Sequence, residues 1–450
     1  MNLTIPVQCR EPRSGPADPQ ATAWRRLNGL QRMMVRWELF QPLNAAHVVE
    51  LAGGISAERL IAGISTALFR HLPGPLEISS SGNHLRFVDW KTTECPTLTV
   101  ECRPSLLQGL SAVHAILGQQ LNIPFPEGGH WPIRFHLVTS ADQRTFLAVT
   151  YRHAVADSRS ISALLRTLFR SARGEPDPAD LLDLAPDLHQ ILPDFQRWTY
   201  PLRVARQLWK EFLHGAVSWR AHDRHPTTGL VVTGGGEDNL PTALLKEKAR
   251  RYQATVQELF VAALLDAFAE LLPQRSNRLR FGIYTPVDLR AETVPPVPEA
   301  FGQILGGYTL RLRRPRSASF AQLVKTVTEE SAVVKQQQDY RLYEQHLRFT
   351  SHIWDRLPDA ANRVAGPLIA PVAALASNVN LGHFLAEEIS SGQILGYERF
   401  TGTGIMTSMM AGLTTLGDSF NLTTTTRDDL YSPGEMAALR GHLQQRLLGQ

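Results

Sequence analysis

The chain has 450 residues, 43% hydrophobic and 20% charged, which is too long for one ordinary core and too apolar for wholesale disorder. No apolar run reaches the ~18 residues of a bilayer span; Val261 to Leu272 and Val364 to Ala376 are too short or broken by Gly and Pro. A net charge of +4 is mild and does not call for nucleic acid, and Cys9, Cys95 and Cys102 fit neither a disulfide framework nor a zinc knuckle.

Residues 1–20 are polar and proline-bearing, a loose arm without a basic-then-apolar signal pattern, so a cytoplasmic protein is expected. Trp24 to Phe40 reads as a helix, with Leu27, Leu30, Met34 and Trp37 on one face. Ala45 to Leu51 reads as a strand, Gly53-Gly54 as a turn, and Ser56 as the N-cap of a following helix. Strands are expected at His84 to Val88 and Ile133 to Val138, with a helix at Leu110 to Gln120 between them.

Thr145 to Thr150 is a β-prone apolar run, and Ile161 to Phe169 places leucines at helical spacing. Between them stands Tyr151-Arg152-His153-Ala154-Val155-Ala156-Asp157-Ser158. A histidine at such a junction can reach a cleft and carry a proton. Asp157 lies too close in the chain to be assumed its triad partner.

Composition shifts after Arg170, and Gly174 to Asp180 reads as a crossover, so lobes are expected at 1–172 and 173–450. Thr227 to Asp238 reads as an exposed loop; its Gly234-Gly235-Gly236 lacks the Gly-Lys-Ser/Thr ending of a phosphate loop. Ala243 to Leu272 supplies two helices, Leu279 to Tyr284 and Thr309 to Leu312 strands, and Ser319 to Gln338 a long helix. Further strands are expected near Ala374 to Asn378, Ile405 to Ala411 and Phe420 to Thr426, before a closing helix at Ser432 to Leu448. His222-Asp223-Arg224-His225 does not suit one helical face and reads as a loop, not a metal site. Arg311, Arg313, Arg314 and Arg316 either meet an acidic carrier protein or form a solvated strand edge.

Four segments accompany the His153 junction. They are Leu27 to Met34, Asp194 to Trp198, Pro286 to Arg290 with Phe301-Gly302-Gln303-Ile304-Leu305 behind it, and Gln338 to Glu344. In this order they resemble the condensation domains of nonribosomal peptide synthetases. Those domains share a superfamily with chloramphenicol acetyltransferase and the plant-type and polyketide-associated acyltransferases. The family pattern has a glutamine-containing opening helix, His-His-x-x-x-Asp-Gly, Tyr-x-Asp-Phe-Ala-x-Trp, Asp-Leu-Arg and Gln-Asp-Tyr-Pro-Phe-Glu. Ser377-Asn378-Val379-Asn380-Leu381-Gly382 is similar to the Ser-Asn segment of related acyltransferases.

The resemblance implies an α+β fold of two chloramphenicol acetyltransferase-like lobes, meeting in a V around a tunnel. It implies transfer of an acyl group from a pantetheine thioester, on a carrier protein or coenzyme A, to a small-molecule amine or alcohol. Acyl-phosphopantetheine is then the donor substrate, a separate carrier protein or free coenzyme A its source, and no metal or permanently bound cofactor is implied. Residue by residue, His153 is the catalytic histidine, Asp157 the structural aspartate, and Arg290 its ion-pair partner from the other lobe. Ser377 and Asn378 line the tunnel or cap a strand end.

The chain departs from the pattern at Arg152, where the family has its first histidine, and at Ser158, where it has glycine. Both fall in the tunnel or oxyanion region. Gly306-Gly307 stands where asparagine is usual, and Arg341-Leu342 replaces Pro-Phe. Two rival readings stay open: a coenzyme A-dependent alcohol acyltransferase, and a catalytically silent homologue that binds a carrier protein.

Overall fold

A computed structural model describes residues 3–7, 23–53, 55–72, 74–88, 98–175, 231–235, 240–271, 280–298, 300–315, 317–362, 372–382, 384–405 and 407–449, with single positions between 188 and 209. Its strands, in chain order, are β1 (Leu3–Val7), β2 (Arg25–Arg26), β3 (Asn44–Leu51), β4 (Leu76–Ile78), β5 (His84–Phe87), β6 (Leu98–Pro104), β7 (Ile133–Thr139) and β8 (Thr145–Arg152). They continue with β9 (Val231–Gly235), β10 (Leu240–Pro241), β11 (Arg280–Asp288), β12 (Leu305–Arg313), β13 (Val372–Asn380), β14 (Ile394–Thr401), β15 (Thr407–Leu416) and β16 (Ser419–Arg427). The fold is α+β, as expected.

The lobe boundary needs correction. One compact unit comprises Met1–Pro193, Leu289–Ile304 and Leu381–Thr401; the other comprises Asp194–Asp288, Leu305–Asn380 and Gly402–Gln450. A single cut after residue 172 fails because two later stretches belong to the first unit. Leu289–Ile304 hydrogen-bonds to the His153–Asp157 turn, and β14 pairs with β3 along its length.

The first unit holds a six-stranded sheet in the order β1-β6-β7-β8-β3-β14, and a small sheet β2-β5-β4. The supposed loose arm contributes β1, antiparallel to β6 with Leu3 opposite Cys102. In β8, Phe146 through Tyr151 are all buried, as a central strand covered on both faces requires. The opening helix runs Gly29–Glu38 rather than from Trp24. Asn28 is the reason. Its side-chain oxygen accepts from Gln31 N at 2.9 Å, and its own N–H donates to Gln31 Oε1 at 3.1 Å, a reciprocal cap that sets the first turn. Helix Ser158–Arg173 starts at its cap Asp157 and ends at Gly174, whose φ of 77° is the left-handed stop. It packs on helix Ala57–His71 so closely at Gly63 that an added Cβ would stand 2.5 Å from Leu168 O.

The second unit holds a sheet ordered β10-β16-β15-β13-β11-β12, with β9 paired to the edge of β16. The stretch read as an exposed loop around Gly234 therefore contains a strand. Helix Val256–Leu271 is apolar nearly all round and lies buried, with Phe268 stacked on Phe281 at 5.9 Å. Its buried Asp266 is answered by Arg314 Nε at 2.6 Å, His442 Nε2 at 2.8 Å and Arg446 Nε at 2.6 Å. Arg314 is thus a core ligand of Asp266 rather than part of a basic surface. Gln338, with φ of 54°, breaks the long helix Phe320–Gln337 from a further helix, Asp339–Trp354.

No helix among the described residues is long and apolar enough to cross a membrane. Asp194 to Trp198, His222 to His225, Cys9, Cys95 and Arg316 lie outside the described residues.

Candidate active site

The site is built on the turn between β8 and helix Ser158–Arg173. Asp157 is fully buried and answers five donors. Arg290 Nη1 donates to Oδ2 at 2.8 Å and Arg290 Nη2 to Oδ1 at 3.0 Å, a two-pronged ion pair. Ser160 N and Ser160 Oγ each donate to Oδ1 at 2.9 Å, and Ile304 N donates to Oδ2 at 3.2 Å. Burial alone would push this carboxyl up. The Arg290 charge and the hydrogen bonds from Arg290, Ser160 and Ile304 outweigh it and hold Asp157 below the usual carboxylate value. Arg290 is itself buried and also donates to Ala300 O at 3.0 Å.

Arg290 does not come from the other compact unit, as expected from sequence. It sits in Leu289–Ile304, within the same unit as Asp157.

With Asp157 turned to Arg290, the imidazole of His153 is held by backbone. Its Nδ1 lies 3.2 Å from Ala156 O, and the ring is half-buried. Desolvation, opposed by that carbonyl and by the Asp157 charge, pushes its pKa down to about 4. The ring is therefore neutral at pH 7.

Two motif segments close on this turn from a distance. Gln303 Nε2 donates to Ala156 O at 2.8 Å and to His153 O at 2.5 Å. Gln31 Nε2, from the opening helix, donates to Ala154 O at 2.9 Å, while Asn28 Nδ2 donates to Gln303 O at 2.7 Å. Gln31 of the opening helix thus acts on the backbone of the His153 turn.

Arg152 is committed elsewhere. Its Nε donates to Glu38 Oε2 at 2.7 Å, and burial pushes the Glu38 carboxyl up against the pull of this guanidinium. Arg152 thus clamps β8 to the opening helix. Ser158 opens the helix, and its Oγ accepts from Arg399 Nη1 at 3.1 Å.

Arg399 was not anticipated. It lies on β14 beside a buried polar group of His47, Tyr151 and Tyr397, with His47 Nδ1 2.5 Å from Tyr397 Oη. Desolvation lowers the Arg399 pKa to about 10. Desolvation, reinforced by the Arg399 charge, also holds His47 well below the usual imidazole value. Tyr151 carries this group toward the site, its ring 6.0 Å from that of His153 and edge-on.

Ser377 and Asn378 lie within β13 of the second unit, opposite Gly412 and Leu413 of β15. They are half-buried strand residues and not the cap of a strand end. In the same unit the missing asparagine at Gly306-Gly307 is answered by Tyr284. Its hydroxyl donates to Gly306 O at 3.2 Å, and its ring fills the space a Gly307 side chain would need.

The fold is shared with acyltransferases. The trichothecene 15-O-acetyltransferase from Fusarium sporotrichioides is 12% identical with a TM-score of 0.72, covering 96% of each chain. The first condensation domain of the calcium-dependent antibiotic synthetase, in complex with a substrate analogue, is 15% identical with a TM-score of 0.66, over 95% of this chain and 96% of that one. The starter condensation domain of rhizomide synthetase, a mutant in complex with C8-CoA and Leu-SNAC, is 13% identical with a TM-score of 0.65, over 96% and 95%. The chain thus has the fold of these condensation domains and of this acetyltransferase. Within it, residues 238–332 match the family model of the phthiocerol/phthiodiolone dimycocerosyl transferase C-terminus. No curated protein matches the chain by sequence.

Proposed function

We propose that this protein transfers an acyl group from a pantetheine thioester to an amine or hydroxyl, with His153 as the base. The observation that carries the reading is the neutral, half-buried imidazole whose Nδ1 faces Ala156 O, while Asp157 is turned away to Arg290. A base held this way offers Nε2 to the acceptor. As the acceptor oxygen or nitrogen bonds to the thioester carbonyl carbon, its proton passes to Nε2. The tetrahedral intermediate then expels the pantetheine thiolate, which takes that proton, so the products are the ester or amide and the free thiol. An imidazole with a pKa near 4 is a weak base toward the resting acceptor. Transfer is therefore concerted with bond formation, where such a base contributes roughly 10²–10⁴ in rate.

The donor is carried by a carrier protein or by coenzyme A. The O-acetyltransferase neighbour favours a hydroxyl acceptor as the second, narrower reading. The decisive experiment measures acceptor-dependent thiol release from acyl-coenzyme A and from an acylated carrier. His153→Ala is expected to fold and to lose this turnover; retained turnover refutes the assignment. Release from acyl-coenzyme A alone selects the alcohol acyltransferase reading. Carrier binding without thiol release identifies a silent homologue.

A further inference from the structure

We propose that Trp37 and Gln41, at the C-terminal end of the opening helix, form a subsite for a neutral amide group of a substrate. The kinetic consequence rests on the acyltransferase reading; the binding itself does not.

The helix ends at Glu38, and the chain turns on once more: Phe40 N donates to Trp37 O at 3.0 Å and Gln41 N to the same oxygen at 3.1 Å. Trp37 and Gln41 thus stand four residues apart on one face of a continued turn. Both are buried, at 9% and 5% exposed. Yet Trp37 Nε1, Gln41 Nε2 and Gln41 Oε1 have no hydrogen-bond partner among the described residues. Beside Trp37 in the chain, Glu38 turns Oε2 to Arg152 and leaves Oε1 equally unmet. Such atoms give up water and gain no bond in return, so each one weakens the ligand-free fold. Apolar side chains at Trp37 and Gln41 would avoid that penalty. A ligand with matching groups removes all of these penalties at once.

The unmet atoms name the chemistry of that ligand. The indole and glutamine nitrogens are donors, and the glutamine and glutamate oxygens are acceptors. A primary carboxamide accepts twice at its oxygen and donates twice at its nitrogen, a match for every one of them. A secondary amide or a hydroxyl has one hydrogen and leaves one acceptor unmet, and a methyl answers nothing. The Glu38 charge is answered by Arg152, so the ligand needs no charge of its own. The place suits a substrate. Two residues beyond Gln41, Leu43 O accepts from His153 N at 3.2 Å, so this turn abuts the strand end that carries the base. Leu39, between Trp37 and Gln41, is 65% exposed, so the helix end reaches the molecular surface. Two sources supply such a group: the pantetheine arm of the donor, with its secondary amides, and an amide-bearing acceptor.

The test is Gln41→Met in the full chain, which keeps the length of the side chain and removes both of its unmet atoms. Its melting midpoint is expected at or above that of wild type, because the ligand-free fold loses no bond. Pantetheine or 6-aminohexanamide should raise the wild-type midpoint, and raise that of Gln41→Met by less than about half as much. Hexylamine, which ends in a methyl, should raise neither. In turnover, KM for the donor should rise about 5–30-fold in Gln41→Met if pantetheine brings the amide, and KM for 6-aminohexanamide if the acceptor does, the loss of one or two neutral hydrogen bonds. A variant midpoint more than about 3 °C below wild type shows that ordered water meets these atoms, and overturns the proposal. A wild-type midpoint that neither amide moves overturns it whether or not the variant folds. Equal shifts in wild type and variant, or both KM values unchanged, overturn it too. Should the chain release no thiol from any donor, the acyltransferase reading fails and the melting shifts still decide the subsite.

Discussion

Removing the Asp157 carboxylate is the most direct probe of what holds the His153 turn. In Asp157→Ala, Arg290 stays buried without its counter-charge, although Nη2 keeps Ser160 Oγ and Ala300 O, and Ser160 N and Ile304 N lose their acceptor. Each charge-assisted bond is worth about 1.5–3 kcal/mol in isolation. The bonds share one desolvation penalty, so they do not add. Breaking a buried ion pair from one side costs about 3–5 kcal/mol, and that range is the expectation here. Helix capping accounts for about 1 kcal/mol of it. Asp157→Asn keeps an acceptor for Ser160 N and should fall short of the alanine loss by about that amount. Arg290→Met strands the carboxylate instead, and the double variant Asp157→Ala, Arg290→Met should lose clearly less than the two single losses combined. Urea unfolding followed by tryptophan fluorescence and circular dichroism reads the four variants against wild type, provided each transition is fitted separately. An alanine variant within about 1 kcal/mol of wild type, or strictly additive single losses, contradicts the buried-pair account.

Two other outcomes follow from the same geometry. The acid limb of kcat/KM should turn near pH 4, the depressed value of His153, and an inflection near 6.5 would show the ring to be solvated. In stability, the neutral His153 contributes fully above its unfolded value of about 6.5 and less as pH falls toward the folded one; Asp157 contributes above about 4 and loses it on further acidification. Arg152→Met leaves Glu38 buried without its cation and should destabilise by about 2–3 kcal/mol while kcat of the folded protein stays within about threefold. A fall in kcat of order 10² would instead place that guanidinium at the oxyanion.

Much of the turn was legible before any coordinates. An apolar strand and leucines at helical spacing are local signals: the strand expected at Thr145 to Thr150 runs on to Arg152, and the helix expected at Ile161 to Phe169 extends from Ser158 to Arg173, its start set by the cap Asp157. The start of the opening helix was missed by several residues because Trp24 to Leu27 continues its apolar spacing. Asn28, with Gln31 three residues on, carried the true signal. β14 was missed for a different reason. It presents Tyr397 and Arg399 to a buried polar group on one face and Glu398 to His114 on the other, at 2.7 Å, so no apolar alternation marks it as a strand.

From the order of side chains alone came the α+β class, the histidine and aspartate at a strand-to-helix junction, and the candidacy of Arg290. Those properties are written within a few residues of one another, or within a family-like order of segments. What the order could not hold is which groups meet after the chain has returned on itself. Arg290 reaches Asp157 across 133 positions and Gln303 reaches Ala156 across 147. The return of Leu289–Ile304 and Leu381–Thr401 to the first unit leaves no local trace, because the partners that reward it are buried polar atoms of distant segments.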